Sequence, residues 1–357
     1  MSNGSGGGGD RDNWSVRRRR MRKRRDRRED ERRERIREQI RAEKIPYLRR
    51  RRRTKERHLP KPPSPFVIGM TRSGTTLLRL MLDSHPDLAI PPETHFIPDI
   101  IKLYHDGNTS PEEIADVMIS GRRWDDFGIP ADRLRKALEG LRPLVRPEVS
   151  IRTFYRLYAK GQRKPRWGDK TPGYGTKMRR IQRVLPEARF IHMIRDGRDV
   201  ALSLKEREAD LTTEQVARRW RHRINNTRRA AKHLDDYLEV RYEDLVNEPE
   251  ATLRRICEYI ELDYSPKMLD YHERAEERLE EMAQPLEAEE DKRGLSAESR
   301  LEAHALTSEP PRTDRVGRWR REMSPEDLAI FEEHAGRLIG KLGYERAAVE
   351  SNLASEA

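Results

Sequence analysis

Residues 69–76 read Gly-Met-Thr-Arg-Ser-Gly-Thr-Thr, directly after the apolar run Pro65-Phe66-Val67-Ile68 and directly before Leu77-Leu78-Arg79-Leu80-Met81-Leu82. This order is that of a short buried strand, a glycine turn and an amphipathic helix. Such a unit binds anions, because free N–H groups and the positive end of the helix dipole point into the turn. Gly69 and Gly74 keep the spacing of the Walker A loop, G-x-x-x-x-G-K-[ST]. Thr75, however, stands where that loop carries its lysine, and Arg72 lies inside the loop. The frame specifies an anion, and the missing lysine argues against an ATPase or kinase.

Working outward, the same alternation repeats. Arg189-Phe190-Ile191-His192-Met193-Ile194 is a second buried strand followed by a turn and helix, and Leu238-Glu239-Val240-Arg241-Tyr242-Glu243-Asp244-Leu245 is a third, followed by the helix Pro249–Ile260. Strands alternating with helices predict an α/β, three-layer fold with a central parallel sheet, whose ligands bind at the carboxyl ends of the strands. Residues 97–160 are mostly helical, with Ser110 capping one helix and Pro130 opening another, and read as an insertion over the active site. Residues 273–312 are rich in Glu, Arg and Pro, have weak periodicity, and are expected to be mobile.

The charge is unevenly placed. Residues 1–63 hold 25 Lys+Arg against 10 Asp+Glu, and the rest of the chain holds 50 against 53. The basic character therefore belongs to a tail, disordered or partly helical over about residues 26–44, and ends at Lys61-Pro62-Pro63-Ser64-Pro65. The folded unit is expected over 64–345, with a second tail at 346–357. The Arg-rich tail is open to two readings: a solvated charged segment, or a clamp for an anionic partner such as nucleic acid or lipid. One cysteine, Cys257, excludes an internal disulfide, and no apolar run approaches the ~20 residues of a transmembrane span. With no apolar secretory segment near the start, the expectation is a cytoplasmic protein.

The order Arg72-Ser73-Gly74-Thr75-Thr76 resembles the 5′-phosphosulfate loop of the sulfotransferases that use 3′-phosphoadenosine 5′-phosphosulfate, and four further segments resemble that family in the right order. Arg195 at a strand end and Ser203 on the next helix are similar to its 3′-phosphate site, where a guanidinium and a hydroxyl donate to one phosphate. Lys170, in Arg166-Trp167-Gly168-Asp169-Lys170-Thr171-Pro172, is similar to its catalytic lysine. Tyr242 matches a tyrosine near the adenine. Arg315, Gly317 and Arg318 match a C-terminal loop that closes on the 3′-phosphate, with Trp319 as a packing anchor. The resemblance spans about residues 64–345.

It implies in-line sulfuryl transfer, in which positioning and charge stabilisation do most of the work and no metal is required. Arg72 and Lys170 would neutralise the sulfuryl and bridging oxygens, and Ser73, Gly74, Thr75 and Thr76 would hold the 5′-phosphate. Asp169, Asp196 and Asp199 each adjoin Lys or Arg and read as pairing or capping residues rather than metal ligands. The stretch Met81–Ile100 resembles the protein-tyrosine sulfotransferases, in which a glutamate after the second strand is the base; here that is Glu93, with His95 as the rival. The acceptor is a hydroxyl compound, with carbohydrate, lipid, small molecule and protein all open. Trp124, Phe127, Phe154 and Tyr155 are available as acceptor contacts or as core. Two other readings stay open: a nucleotide-dependent phosphotransferase with a degenerate loop, and a tethering protein driven by its basic tail.

Overall fold

The computed structural model describes residues 61–107, 110–141, 145–288, 294–302 and 305–347. The expected tail helix, the Arg-rich blocks and most of the C-terminal tail lie outside these residues. A compact unit runs from Lys61 onward.

Its sheet has four parallel strands: β1 (Ser64–Gly69), β4 (Asp169–Lys170), β5 (Ala188–Ile194) and β6 (Tyr237–Arg241), in the order β4-β1-β5-β6. β1 sits between the later strands, in register Phe66↔Phe190 and Phe66↔Asp169. The chain thus reverses direction across the sheet about β1, and crevices open at the carboxyl ends of strands at such points. β1 is buried at every position, as its unbroken apolar run requires of a strand covered on both faces.

Alternate side chains of the sheet feed opposite layers. Phe66, Ile68 and Phe190 join a core with Phe96, Phe127, Phe154 and Tyr155. Val67, Ile191, Met193 and Val240 join another with Leu78, Met81 and Ile256. The helices concerned are α1 (Thr75–Asp83), α2 (Ile97–His105), α3 (Pro111–Ile119), α4 (Ala131–Glu139), α5 (Pro147–Gly161) and α6 (Met178–Val184). Ser110 accepts from the Glu113 amide and caps α3 as its sequence predicts. The insertion 97–160 is mostly helical where described; Phe154 and Tyr155 serve as core, Phe154 meeting Phe96 and Phe127 edge-on and Tyr155 stacking on Trp167 at 4.4 Å, while Trp124 and Phe127 join that core and also line a cavity.

A short parallel pair, β2 (Leu88–Ala89) with β3 (Arg166–Trp167), extends the architecture. β3 and β4 form one chain segment that changes partner at Gly168, whose α-carbon passes so close to Pro65 that a Cβ would lie 2.8 Å from the Pro65 carbonyl oxygen. Glycine is needed there for the segment to pass this close to β1 and carry Lys170 to the sheet edge.

Past the sheet come α7 (Gly197–Lys205), α8 (Thr213–Ala231), α9 (Tyr242–Asn247), α10 (Pro249–Tyr259), α11 (Ala275–Glu280), α12 (Ala297–Glu302), α13 (Trp319–Glu322) and α14 (Pro325–Lys341). Two sequence expectations differ here. The run Leu238–Leu245 is strand only to Arg241, and Tyr242 opens α9. Of the stretch 273–312, expected to be mobile, the described residues carry short helices held by buried ion pairs: Arg278 with Asp83 at 2.8 Å, and Arg300 with Asp126 at 2.5 Å. Its anchors are charges that meet carboxylates far away in sequence, a kind of tether that periodicity does not register.

Candidate active site

Three strand ends of the main sheet deliver a predicted site residue to one cleft, the 70–76 loop after β1, Arg195 after β5 and Tyr242 after β6, while Lys170 on β4 is buried behind it and reaches it through Glu93. The cleft is lined by Arg72, Gly74, Thr75, Thr76, Glu93, Arg195, Ser203, Tyr242, Arg315 and Arg318, together with Tyr271 and with Thr307 and Arg312 of the 273–312 stretch.

The loop is built for close approach. Gly74 has φ 85° and a Cβ there would run into the Tyr242 ring. Arg72 also takes a left-handed backbone, φ 70°, and its Nε donates to Ser203 Oγ at 2.9 Å. Arg195 donates to the carbonyls of Arg72 (3.2 Å) and Arg315 (2.7 Å) and lies 4.3 Å over the Tyr242 ring. Burial lowers the proton affinity of Arg72, and Arg207, Arg195 and Arg315 add to the effect. A cleft in which burial and neighbouring cations press on Arg72 is one that gains by taking up a polyanion. Three buried donors of the loop and its neighbours, Ser73 Oγ, Arg195 Nε and Arg315 Nε, have no hydrogen-bond partner among the described residues. Buried polar atoms are rarely left so, and phosphate oxygens would satisfy them.

The C-terminal loop arrives as expected but partly engaged. Arg318 reaches the cleft while pairing with Glu322 at 2.5 Å and with Glu206. The Gly317 and Trp319 amides donate to Asp199, at 2.8 and 3.0 Å, so Asp199 serves as an anchor for this loop. Asp196 caps α7 through the Arg198 amide and pairs with Arg198, not with its neighbour Arg195. Trp319 is buried beneath Arg198, 3.5 Å from ring to guanidinium, as a packing anchor.

Glu93 and Lys170 meet at 2.9 Å. Burial acts to raise the Glu93 carboxyl, but Lys170, His95 and Arg123 outweigh it and hold the group well below the ordinary carboxylate range. Burial also lowers the Lys170 ammonium, against the pull of Glu93. His95, with φ 54° and half of its side chain exposed, bonds the other Glu93 oxygen at 3.0 Å. Glu93 lines the anion cleft and also a second cavity formed by His95, Arg123, Trp124, Leu286 and Leu295 on the insertion side.

The pair is set by residues that sequence reasoning passed over. Thr94 donates through its amide to Thr171 Oγ1 (3.0 Å) and through its hydroxyl to Asp169 Oδ2 (2.7 Å), so the Glu93 loop is tied to both flanks of Lys170. Asp169 also accepts from Tyr155 at 2.8 Å; its partners are hydroxyls, and it does not pair with the adjacent lysine as expected. A threonine stands next to each of Glu93 and Lys170 in the sequence, the only visible sign of this junction. Among the described residues no group of three or more His, Cys, Asp or Glu gathers as a metal site, and no helix is long and apolar enough to cross a membrane.

A parallel α/β sheet with a strand–turn–helix anion cradle at its carboxyl edge defines a P-loop-like nucleotide-binding protein. The chain belongs to the sulfotransferase family, whose model matches residues 63–266. It is 29% identical over 220 residues to protein-tyrosine sulfotransferase A of Caenorhabditis elegans, covering 59% of this chain and 53% of that protein. It is 28% identical over 217 residues to the protein-tyrosine sulfotransferase of Drosophila melanogaster, covering 58% and 40%. The chain thus spans about half the length of these curated relatives or less. The solved sulfotransferase domain from the curacin biosynthetic pathway superimposes with a TM-score of 0.54 at 19% identity, covering 81% of this chain and all of that domain, and shares its fold.

Proposed function

We propose that the protein transfers the sulfuryl group of 3′-phosphoadenosine 5′-phosphosulfate to a hydroxyl acceptor, with Glu93 as base. The observation that carries this reading is that Glu93 borders both the cationic cleft and the insertion-side cavity while bonding Lys170. Donor and acceptor would meet across that pair. Ser73 to Thr76 and Arg72 hold the 5′-phosphosulfate, Arg195, Ser203 and Arg315 the 3′-phosphate, with Arg318 closing over it and Tyr242 beside the adenine.

In the transfer, the acceptor O–H gives its proton to Glu93 and its oxygen forms a bond to sulfur. The bond from sulfur to the bridging oxygen breaks, and its electron pair leaves on the 5′-phosphate, where Lys170 and Arg72 offset the charge. A carboxylate held by Lys170 is a weak base. Once Lys170 turns to the bridging oxygen, Glu93 loses that cation and its proton affinity rises, so donor binding readies the base. The family resemblance of the Glu93 loop and the names of the relatives favour tyrosine hydroxyls of proteins among acceptors.

Calorimetric titration with 3′,5′-adenosine bisphosphate, beside Mg²⁺-ATP, tests the reading. Micromolar bisphosphate binding, abolished in Arg195→Ala, is expected, and in folded Glu93→Gln or Lys170→Ala turnover should fall on the order of 10²-fold or more. Tight Mg²⁺-ATP binding without a response to the bisphosphate would replace this reading with a phosphotransferase.

A further inference from the structure

On the acceptor side Glu93 is approached by a cation to which the proposed chemistry gives no role. Arg123 Nη2 stands 3.7 Å from Glu93 Oε2, and Arg123 Nη1 stands 3.8 Å from Asp126 Oδ2. Both separations exceed hydrogen-bond length, so Arg123 is held between two carboxylates by charge rather than by directed bonds. Among the described residues it has no other polar partner. Asp126 needs nothing from it: 1% exposed, its two oxygens accept from Arg300 at 2.9 and 2.5 Å. Arg300 belongs to α12 and is fixed in turn on the Gln284 carbonyl at 2.5 Å. The stretch that carries Arg300 also lays Thr307 and Arg312 along the anion cleft. Alternating charges therefore run Arg300, Asp126, Arg123, Glu93, Lys170, from the segment that borders the donor cleft to the base.

A buried ion pair of this kind is a poor source of stability, since desolvation offsets most of its attraction. Its geometry fits a different task. We infer that Asp126, locked in place by Arg300, is a positioning residue for Glu93: it draws Arg123 aside, so that Oε1 meets Lys170 until the donor binds and Oε2, bonded among the described residues only by His95, is not also clamped by Arg123 and faces the acceptor cavity. Without the Asp126 charge, Arg123 has Glu93 as its one remaining carboxylate and closes onto it, pinning the oxygen that must take the proton. The inference rests on the sulfuryl-transfer reading above.

The test uses the full chain with Asp126→Asn, Arg123→Gln and the double variant. Release of 3′,5′-adenosine bisphosphate from the donor is followed, with 2-naphthol as the hydroxyl probe; this counts transfer to any hydroxyl, water included. Asp126→Asn should lower kcat about tenfold or more while bisphosphate affinity stays within about twofold, because Arg300 keeps its anchor on the Gln284 carbonyl and an amide oxygen at position 126 still accepts from it. The charged and titratable groups facing Glu93 are Lys170, His95 and Arg123. Arg123→Gln removes one cation, so the acid limb of the kcat profile should move to higher pH. In the double variant the effect of Asp126→Asn should vanish, as Asp126 acts only through Arg123. A kcat within about twofold of wild type for folded Asp126→Asn, or an acid limb unmoved in Arg123→Gln, would overturn the inference. Should Asp126→Asn fail to fold, the half-buried Arg123→Gln decides alone. Wild-type protein that binds the bisphosphate yet releases none from the donor would instead sink the transfer reading itself.

Discussion

Gly74 shows how one residue ties the loop to the fold. It holds a left-handed backbone and lies flat against Tyr242, a residue delivered by a different strand. Gly74→Ala meets both obstacles, backbone strain and a clash with the ring, and should cost about 1–3 kcal/mol of stability. The loop amides would also swing out of register, so bisphosphate affinity should drop by an order of magnitude or more in calorimetry. An unchanged affinity would mean that the loop is not the phosphate cradle. The need for glycine at Gly69 and Gly74 is legible from the motif; that Tyr242 enforces the second is not, because the two residues are distant in the chain. The same holds for Thr94, whose tie to Asp169 spans 75 positions.

Among elements, the C-terminal helix α14 depends on a charge buried beneath it. Arg198 of α7 is wholly buried, pairs with Asp196 at 2.7 Å and with Glu332 of α14 at 3.1 Å, and lies over Trp319. Arg198→Met would leave two buried carboxylates short of their counter-charge, a loss of about 3–5 kcal/mol. Chemical denaturation should register it, and a loss below ~1 kcal/mol would show that the carboxylates find water or other cations. Elements with an apolar period, such as β1, α1 and β5, were readable in the sequence because burial writes itself into their pattern. The stretch 273–312 was not: its anchors are Arg278 and Arg300, and an arginine looks the same in a sequence whether it faces solvent or Asp83.

For the molecule as a whole, pH acts through a histidine inside the sheet. His192 on β5 is fully buried, its Nδ1 within 2.5 Å of the Tyr237 hydroxyl, and burial, with Arg228 adding, pushes its proton affinity down to about 3. In the unfolded chain it protonates near the usual 6.5. Between those values the unfolded state binds the extra proton, so stability falls as pH falls from 6.5 toward 3 and is level with respect to this group above 6.5. The slope is up to ~1.4 kcal/mol per pH unit. Denaturation at several pH values should therefore show a flatter acid limb in His192→Gln, and an equal slope in both proteins would refute the assignment.

By itself the sequence determined the alternation of strands and helices, the anion loop with its missing lysine, the concentration of net positive charge in residues 1–63, and many of the residues that line the cleft. These are local or periodic features, and local chemistry is what a linear pattern records. Tertiary structure decided which partners those residues meet: that Asp169 serves hydroxyls, that Glu93 pairs with Lys170 and stands between two cavities, and that Arg300 reaches Asp126. Each of these joins side chains far apart in sequence, and the parallel order β4-β1-β5-β6 is what brings the strand ends that carry the site to one edge.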